Sequence, residues 1–257
     1  MKQALVWDAT GQKLAPCSAA KALALVQAGE AELLSQEPLA IRLFKTVALP
    51  QRLAPEPPAL AGQTVLLHIC CAPCATYVVR WLRGLEAQVT GHWFNPNIHP
   101  FSEHQRRRET LAGYAQEIAL PVIWEEGYEA TTFFRVVVGH EAFRERCVLC
   151  YRLRLERTAR VAAAQGFAFF STTLLISPYQ DQRALRQIGE ELGATYGVRF
   201  YGENLRRGFA EHYRLAQEAG LYRQKYCGCL YSEWEALDRQ AWTKPKGGSA
   251  LAGEPVG

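Results

Sequence analysis

Seven of the eight cysteines in this chain fall in three short groups, and no other feature of the sequence restricts the fold as strongly. The groups are Cys70-Cys71-Ala72-Pro73-Cys74, Cys147-Val148-Leu149-Cys150 and Cys227-Gly228-Cys229. Small secreted domains use such cysteines for disulfides, but a chain of 257 residues can bury a core without them. Clustered thiols in an intracellular protein bind metal or carry out redox chemistry. The fold therefore has to bring three distant segments together around one soft-metal site.

The expected compartment follows from what the sequence lacks. Its longest apolar runs, such as residues 65–67 and 136–138, are far shorter than the roughly 20 residues of a membrane span. The first eight residues do not form the apolar segment and cleavage site of a signal peptide. We therefore expect a cytoplasmic protein without a membrane partner. Its net charge of +4 permits an acidic partner such as nucleic acid without demonstrating one.

Prolines mark a domain boundary, because four of the nine residues 50–58 are proline and such a segment forms a stiff, extended linker. We predict a small N-terminal α+β module over residues 1–50, a linker over 51–63, a catalytic domain over 64–242 and a disordered tail over 243–257.

Within the catalytic domain, short apolar strands alternate with helices. The predicted strands are residues 64–69, 88–94, 122–124, 167–171 and 198–200, and the predicted helices are residues 75–85, 102–119, 147–164, 178–192 and 211–219. This alternation predicts a Rossmann-like α/β fold, with a parallel sheet, right-handed crossovers and helices on both faces.

Chemically active residues follow three of the predicted strands, at the edge where open α/β sheets bind ligands. The first strand is followed by Cys70, Cys71 and Cys74, where a phosphate-binding protein would have glycines. The dipole of the next helix favours the thiolate of Cys74. Residues 95–100 (NPNIHP) are equally typical of a plain loop and of a substrate loop. Residues 171–181 (STTLLISPYQD) carry hydroxyl groups toward the same edge.

The seven grouped thiols exceed the four ligands of a 4Fe-4S cluster or a structural zinc ion. Four thiolates can close one centre, and three can hold a second metal with an open coordination position, which is the catalytic arrangement. The eighth cysteine, Cys17, is interpreted as an ordinary buried thiol of the N-terminal module.

Positive charge is concentrated on two predicted helices, which carry Arg106 and Arg107 in one case and Arg152 and Arg154 in the other. A solvated helix face and contacts with a nucleic-acid backbone explain this charge equally well.

Five segments together resemble the QueH-type epoxyqueuosine reductases. They are residues 67–74 (LHICCAPC), 95–98 (NPNI), 147–154 (CVLCYRLR), 172–181 (TTLLISPYQD) and 226–229 (YCGC), within a similarity that covers about residues 64–236. The resemblance implies a HUP-like fold and reduction of epoxyqueuosine to queuosine at the wobble position of tRNA, the last step of queuosine biosynthesis. It also implies iron–sulfur and iron centres without cobalamin. The expected partners are a tRNA carrying epoxyqueuosine and an electron donor that the motifs do not identify.

Given this resemblance, the adjacent pair Cys70 and Cys71 and the CxxC pair Cys147 and Cys150 supply four sulfurs from two loops. We predict that Cys70, Cys71, Cys147 and Cys150 bind a 4Fe-4S cluster, and that Cys74, Cys227 and Cys229 bind a second, mononuclear metal, expected to be iron. Catalytic roles are predicted for Cys74, Tyr179 and Asp181, and His99 and His104 are further candidate acids by motif position. The predicted substrate and tRNA contacts are Asn95, Asn97, His99, Arg106, Arg107, Arg152 and Arg154.

The N-terminal module has a separate and shorter resemblance. Residues 13–17 (KLAPC), 21–23 (KAL) and 30–33 (EAEL) resemble the small N-terminal module of some transposon-encoded RNA-guided nucleases. No nuclease motif follows, so the resemblance implies at most a role in RNA binding or docking.

Two other functions compete with the reductase. A tRNA-modifying ATP pyrophosphatase on the same fold would need an SGGxDS loop where this chain has Cys70-Cys71-Ala72-Pro73-Cys74. A zinc-thiolate RNA-binding protein without catalysis would not need seven ligands beside hydroxyl-rich strand ends.

Overall fold

The structure is a computed structural model that describes residues 3–11, 14, 16–46 and 60–238. The chain divides into two compact units, residues 1–56 and 57–257, which are described separately here. The predicted tail, residues 243–257, and residues 51–59 of the predicted linker lie outside the described residues.

The first unit contains a four-stranded sheet and one helix. Its elements are β1 (Gln3–Trp7), β2 (Cys17–Ser18), α1 (Ala19–Gln27), β3 (Ala31–Gln36) and β4 (Leu39–Leu43). The strand order is β2-β1-β4-β3, with β1 and β4 parallel and the outer pairs antiparallel. The Ser18 side chain accepts a hydrogen bond from Lys21 N and so begins α1. Cys17 is half-buried and packs against the small core of this unit.

The second unit is built on a five-stranded sheet. Its strands are β5 (Thr64–His68), β6 (Gln88–Trp93), β7 (Val122–Trp124), β8 (Phe169–Thr172) and β9 (Arg199–Phe200). They follow the order β7-β6-β5-β8-β9, and every pair is parallel. The predicted parallel sheet is thereby confirmed. Because the chain builds outward from β5 in one direction and then returns to place β8 on its other side, the switch point lies between β5 and β8.

Seven α-helices of the described second unit surround this sheet. They are α2 (Ala72–Gly84), α3 (Phe101–Glu117), α4 (Ala130–Val137), α5 (Glu145–Ala164), α6 (Gln182–Tyr196), α7 (Phe209–Glu218) and α8 (Leu230–Leu237). Short 3-10 helices span Thr173–Ile176 and Leu205–Gly208. Among the described helices, none combines the length and the apolar character needed to cross a bilayer.

Side chains that alternate along β5 show that helices cover both faces of the sheet. Val65 and Leu67 belong to one buried cluster, together with Val78 of α2. Leu66 belongs to a second cluster, together with Leu155 of α5. Successive side chains of a strand point to opposite faces, so these clusters lie on the two sides of the sheet, as predicted.

The start of α6 differs from the prediction. The sequence indicates a helix from residue 178, but α6 begins at Gln182, after the 3-10 helix that ends at Ile176. Asp181 is the residue that caps it: its Oδ1 accepts hydrogen bonds from Arg183 N at 3.0 Å and Ala184 N at 3.1 Å. An aspartate that satisfies two free amides begins a helix more effectively than a proline three residues earlier.

Candidate metal–thiolate site

The switch point of the sheet is occupied by Cys70, which follows β5, and Thr173, which follows β8. Cys70 N donates a hydrogen bond to Thr173 Oγ1 at 3.1 Å, and the hydroxyl lies 3.3 Å from Cys70 Sγ, to which it donates. The two strand ends are therefore joined through a ligand-type sulfur.

Three thiols meet at the start of α2, and we call Cys70, Cys71 and Cys74 the first thiol group. Their sulfur atoms all lie within 4.8 Å of one another, and the Sγ atoms of Cys70 and Cys71 are 3.8 Å apart. Cys71 is the N-terminal cap residue of α2, so Cys74 lies in the first turn of the helix. The side-chain amide of Gln224 donates to Cys71 Sγ at 2.9 Å.

The three thiols of the first group differ in their pKa values. Hydrogen bonds with the Cys71 and Cys74 thiols hold the pKa of Cys70 well below its usual value. The same hydrogen bonds raise the pKa of Cys71 to about 12 and that of Cys74 well above its usual value. This arrangement favours one thiolate, on Cys70, stabilised by two neighbouring thiols, which is the form in which a cysteine binds metal.

The other two groups come from the first turn of α5 and the loop before α8. Cys147 and Cys150 lie three residues apart on α5, so both sulfurs are on one side of its first turns. Cys229 caps α8, and its Sγ accepts a hydrogen bond from Ser232 N at 3.4 Å. Cys150 and Cys229 pack in one buried cluster with Phe133 of α4. Burial raises the pKa of Cys150 to about 12.

All three groups open on one cavity of about 580 Å³. Six thiols line it, namely those of Cys70, Cys74, Cys147, Cys150, Cys227 and Cys229. Cys71, the seventh, is buried beside Cys70. The structure thus brings together the three segments that the sequence separates by about 70 residues each.

Gly228 shapes the loop between Cys227 and Cys229. Its φ of 149° is a conformation that residues with a side chain rarely adopt. A Cβ atom there would lie 3.1 Å from Ile98 and 3.2 Å from Asn97. Gly228 O also accepts a hydrogen bond from His99 N at 2.8 Å, which holds the loop against residues 97–99.

A buried histidine connects three strand ends behind the thiols. His68 Nε2 lies 3.2 Å from Asn95 Oδ1, and His68 Nδ1 lies 2.9 Å from Thr172 Oγ1. Because Asn95 Nδ2 donates to Ile69 O at 2.9 Å, Asn95 Oδ1 faces the ring and accepts from Nε2. Burial lowers the pKa of His68 to about 3, so the ring is neutral and structural at pH 7.

The four arginines predicted to contact tRNA separate into two kinds. Arg106 and Arg152 lie on the surface, where Arg106 stacks on Tyr222 with 3.7 Å to the ring centroid and Arg152 pairs with Glu191. Arg107 and Arg154 are buried. Arg107 is bonded to Glu103 and to the carbonyls of Tyr226 and Cys227, whereas Arg154 is among the residues that line the cavity.

The remaining predicted contacts are buried as well. Asn97 lines the cavity, whereas Asn95 belongs to the His68 network. His99 stacks on Phe134 with 4.5 Å between ring centroids. Burial lowers the pKa values of His99 and His104 to about 4, which leaves both rings neutral at pH 7.

The two predicted acids of residues 177–181 have different positions. Tyr179 lines the cavity and is 79% exposed. The Asp181 carboxylate is engaged as the cap of α6 and is not among the residues that line the cavity. Between them, Gln180 links Tyr151, whose hydroxyl donates to Gln180 Oε1 at 2.8 Å, to Cys227, whose sulfur lies 3.7 Å from Gln180 Nε2.

Sequence reasoning missed several residues of the cavity wall, namely Phe133, Tyr151, His212, Tyr213, Arg223 and Gln224. Tyr151 directly follows Cys150 and faces the sulfurs, so the CxxC motif offered a signal for it. The others belong to α4, to α7 or to the loop after α7, where no motif distinguishes them from ordinary surface or core residues.

Comparison with known proteins shows the family to which most of this chain is similar. Residues 65–235 match the family model described as epoxyqueuosine reductase QueH. Relatives of that name include one from Dehalococcoides mccartyi, 38% identical over 175 residues, and one from Thermotoga maritima, 37% identical over 192 residues. These alignments cover 68% and 72% of this chain and 95% and 98% of the two relatives.

Among the solved structures that the chain matches is the U34-tRNA thiolase NcsA from Methanococcus maripaludis with its 4Fe-4S cluster. The TM-score is 0.46 and the sequence identity 14%, over 69% of this chain and 64% of that one.

Proposed function

We propose how this site works from one premise: the chain belongs to the epoxyqueuosine reductase QueH family, and it reduces epoxyqueuosine in tRNA. Reduction of an epoxide to an alkene takes up two electrons and two protons, breaks two C–O bonds and releases one water molecule. The cavity must therefore provide an electron source, a partner for the departing oxygen and a proton path. The meeting of three thiol groups on one cavity is the observation that supports this assignment most directly.

The donor set fits iron–sulfur chemistry. Thiolates are the ligands of such clusters, and the low pKa of Cys70 favours the thiolate form before any metal is bound. We assign Cys70, Cys71, Cys147 and Cys150 to a 4Fe-4S cluster, and Cys74, Cys227 and Cys229 to a second iron. When bound, the cluster would supply electrons one at a time and the second iron would act as a Lewis acid toward the departing oxygen.

Accessibility supports this division. Three of the four proposed cluster ligands are buried, as suits a closed centre. The other set contains Cys227, which is exposed, and a centre that binds substrate needs an open side. Cys74 belongs to the first thiol group, so the two centres would be adjacent.

The compactness of the first thiol group allows a different division, in which Cys74 is a ligand together with Cys70 and Cys71. Four single serine variants separate the two possibilities: Cys71→Ser, Cys74→Ser, Cys150→Ser and Cys229→Ser. Acid-labile sulfide and the 4Fe-4S absorption are measured after anaerobic reconstitution. Our division expects both to be lost in Cys71→Ser and Cys150→Ser and retained in the other two. Loss in Cys74→Ser with retention in Cys150→Ser would establish the alternative.

Proton transfer is assigned to residues of the cavity wall. Tyr179 lines the cavity and is largely exposed, and we assign its hydroxyl group as the donor of a proton to the oxygen that leaves the substrate. His212 lies in the same wall, and its Nδ1 is bonded to Phe209 O, so only Nε2 remains for exchange with the cavity. Asp181 holds the segment that carries Tyr179 by capping α6.

The cavity mouth also suits an unpaired nucleotide. Tyr179 and Tyr213 are 79% and 52% exposed, and Arg223 lies over the Tyr213 ring at 4.4 Å from its centroid. Aromatic faces and arginines are the elements with which proteins bind unpaired bases. A cavity of 580 Å³ is of the size that accommodates a small ligand, here the modified base turned out of the anticodon loop. Arg106 and Arg152, on the outer surface, are assigned to phosphate contacts.

The direct test uses the complete, reconstituted protein. It is incubated anaerobically with a chemical reductant and with tRNA from a strain that lacks its own reductase, and the nucleosides are analysed by mass spectrometry. We expect epoxyqueuosine to be converted to queuosine in proportion to the iron bound. Purification with stoichiometric zinc and no sulfide, or an iron-loaded protein that leaves epoxyqueuosine unchanged, would refute the function.

A further inference from the structure

Arg154 is a buried cation at the wall of the thiol cavity. It lies on α5, one helical turn after Cys150, and its side chain is 1% exposed. Its Nε donates to Cys150 O at 3.2 Å. Its Nη2 is buried and has no hydrogen-bond partner among the described residues. Arg154 is nevertheless among the residues that line the cavity.

A buried guanidinium is energetically unfavourable unless a nearby anion balances its positive charge. Removing a guanidinium from water costs several kcal/mol, and arginine does not escape the cost by losing its proton. Arg154 forms no ion pair with a carboxylate in the part of the chain described here. Burial lowers the pKa of Arg154, and the neighbouring sulfurs of Cys150, Cys227 and Cys70, which are anionic once they bind a metal, raise it.

Two other buried arginines near the cavity show the usual solution. Arg107 bonds to Glu103 at 2.7 Å and uses its remaining nitrogens on the carbonyls of Cys227 and Tyr226. Arg146 pairs with Glu235 and donates to Glu141 O. Each has its own carboxylate, so its charge is already balanced within the protein. Arg154 has no such carboxylate among the described residues, so its positive charge remains available to a negatively charged group in the cavity.

We propose that Arg154 is a positioning residue whose fixed positive charge compensates the thiolate-ligated metal centre and makes that centre easier to reduce. The metal centre itself rests on the proposed function. A thiolate-ligated centre becomes more negative when it takes up an electron, and a nearby cation in a region of low dielectric stabilises the reduced form more than the oxidised form. Hydrogen bonds and charges around the sulfurs are known means of setting such potentials.

Three variants test the charge. Arg154→Met removes it while keeping an unbranched side chain, Arg154→Lys keeps it, and Arg160→Gln removes the same charge from an exposed position on the same helix, outside the cavity lining. Each protein is reconstituted anaerobically, its iron and sulfide are determined, and its reduction is followed by redox titration with electron paramagnetic resonance. We expect Arg154→Met to require a more negative potential for reduction, while Arg154→Lys and Arg160→Gln titrate like the wild type.

An Arg154→Met protein that binds its full iron and titrates like the wild type would overturn the proposal. If the Arg154→Met protein cannot bind iron, the Arg154→Lys variant provides the test of the proposal. Iron binding and a wild-type titration in Arg154→Lys support a role for the charge, whereas loss of iron in that variant shows that the shape of the guanidinium matters instead and overturns the proposal. The titration needs no tRNA, so a protein whose potential depends on residue 154 but which does not convert epoxyqueuosine would contradict the proposed function alone.

Discussion

Arg107 holds the Cys227 backbone: its Nη1 donates to the Cys227 carbonyl oxygen at 2.9 Å, while its Nε is bonded to Glu103 at 2.7 Å. Residues 226 and 227 are thereby fixed against α3, from a distance of about 120 residues along the chain. This contact holds Cys227 at the cavity at a point where the chain has no regular element, two residues before Cys229 caps α8.

Removing the contact should loosen the loop. We expect Arg107→Met to lose iron beyond that of the cluster, because Cys227 and Cys229 are no longer fixed. We also expect it to be less stable by about 3–5 kcal/mol, since the buried Glu103 loses its ion-pair partner and keeps the hydrogen bond from the Tyr222 hydroxyl. The double variant Arg107→Met/Glu103→Gln should recover part of the stability but not the iron. Urea denaturation and iron analysis measure the two effects, and recovery of both together would contradict the positional role.

Gly228 gives a second test of the same loop. Gly228→Ala places a Cβ in a disfavoured backbone conformation and against Ile98 and Asn97, so we expect the second iron and turnover to be lost while the 4Fe-4S absorption remains. Gly113→Ala is the matched control, because this glycine of α3 has open space around its Cβ position and an ordinary helical φ. It should be neutral or more stable by about 0.5–1 kcal/mol. Normal iron content and turnover in Gly228→Ala would show that the loop tolerates a side chain.

His68 makes stability depend on pH. Its pKa in the folded protein is lowered by burial to about 3, whereas an unfolded histidine titrates near 6.5. The unfolded chain therefore binds an additional proton below about pH 6.5, and stability falls as the pH is lowered, at up to about 1.4 kcal/mol per pH unit for this group. Comparing denaturation at pH 7.5 and 5.5, we expect a weaker pH dependence in His68→Gln than in the wild type. Replacement of the exposed His140 by Gln is the matched control for exchanging a histidine for glutamine.

Asp181 can cap α6 without acting as an acid. An asparagine variant distinguishes the two roles, because its side chain can cap a helix but cannot donate a carboxyl proton. Asp181→Asn retains an oxygen acceptor for the amides of Arg183 and Ala184, so we expect nearly wild-type turnover and stability. Asp181→Ala should lose about 1 kcal/mol of stability and part of the turnover. Tyr179→Phe should retain its iron but lose turnover. If Asp181→Asn is inactive with normal iron and stability, the carboxyl group takes part in the chemistry.

Truncation tests the independence of the second unit. Every residue that lines the thiol cavity belongs to residues 57–257. We therefore expect deletion of residues 1–56 to leave iron content and the redox titration unchanged, and at most to weaken tRNA binding in a filter-binding assay. Loss of iron on truncation would show that the first unit is needed to form the site.

The parts of this fold that could be predicted are those governed by local patterns. Short strands of two to six residues and the helices between them define the parallel sheet, and cysteines placed after a strand or at a helix start were expected to meet at its carboxyl edge. The CxC loop could not be placed in this way. Its position depends on Arg107 and on the Gly228 backbone, which are tertiary contacts without a sequence signature.

Arg152 and Arg154, two of the five arginines of α5, show where the interpretation of the charge pattern was too coarse. Arg152 and Arg154 were grouped as one patch of charge, yet residues two apart on a helix point to opposite sides. Arg154 is four residues after Cys150 and therefore lies on the cysteine face, whereas Arg152 faces solvent and pairs with Glu191. Helical spacing alone would have separated them. Helical spacing could not show that the buried residue, Arg154, has no carboxylate partner among the residues that the structure describes.

The strand order also determines when the site can be completed during synthesis. Cys70 and Cys71 emerge from the ribosome early, with the central strand, whereas Cys227 and Cys229 are made only after all five strands of the second unit. A nascent chain thus carries the three cysteines of the first thiol group long before the residues that close the cavity are made. Cells that make this protein would have to protect those thiols from premature oxidation or from zinc, and delivery of iron would be productive only at the end of translation.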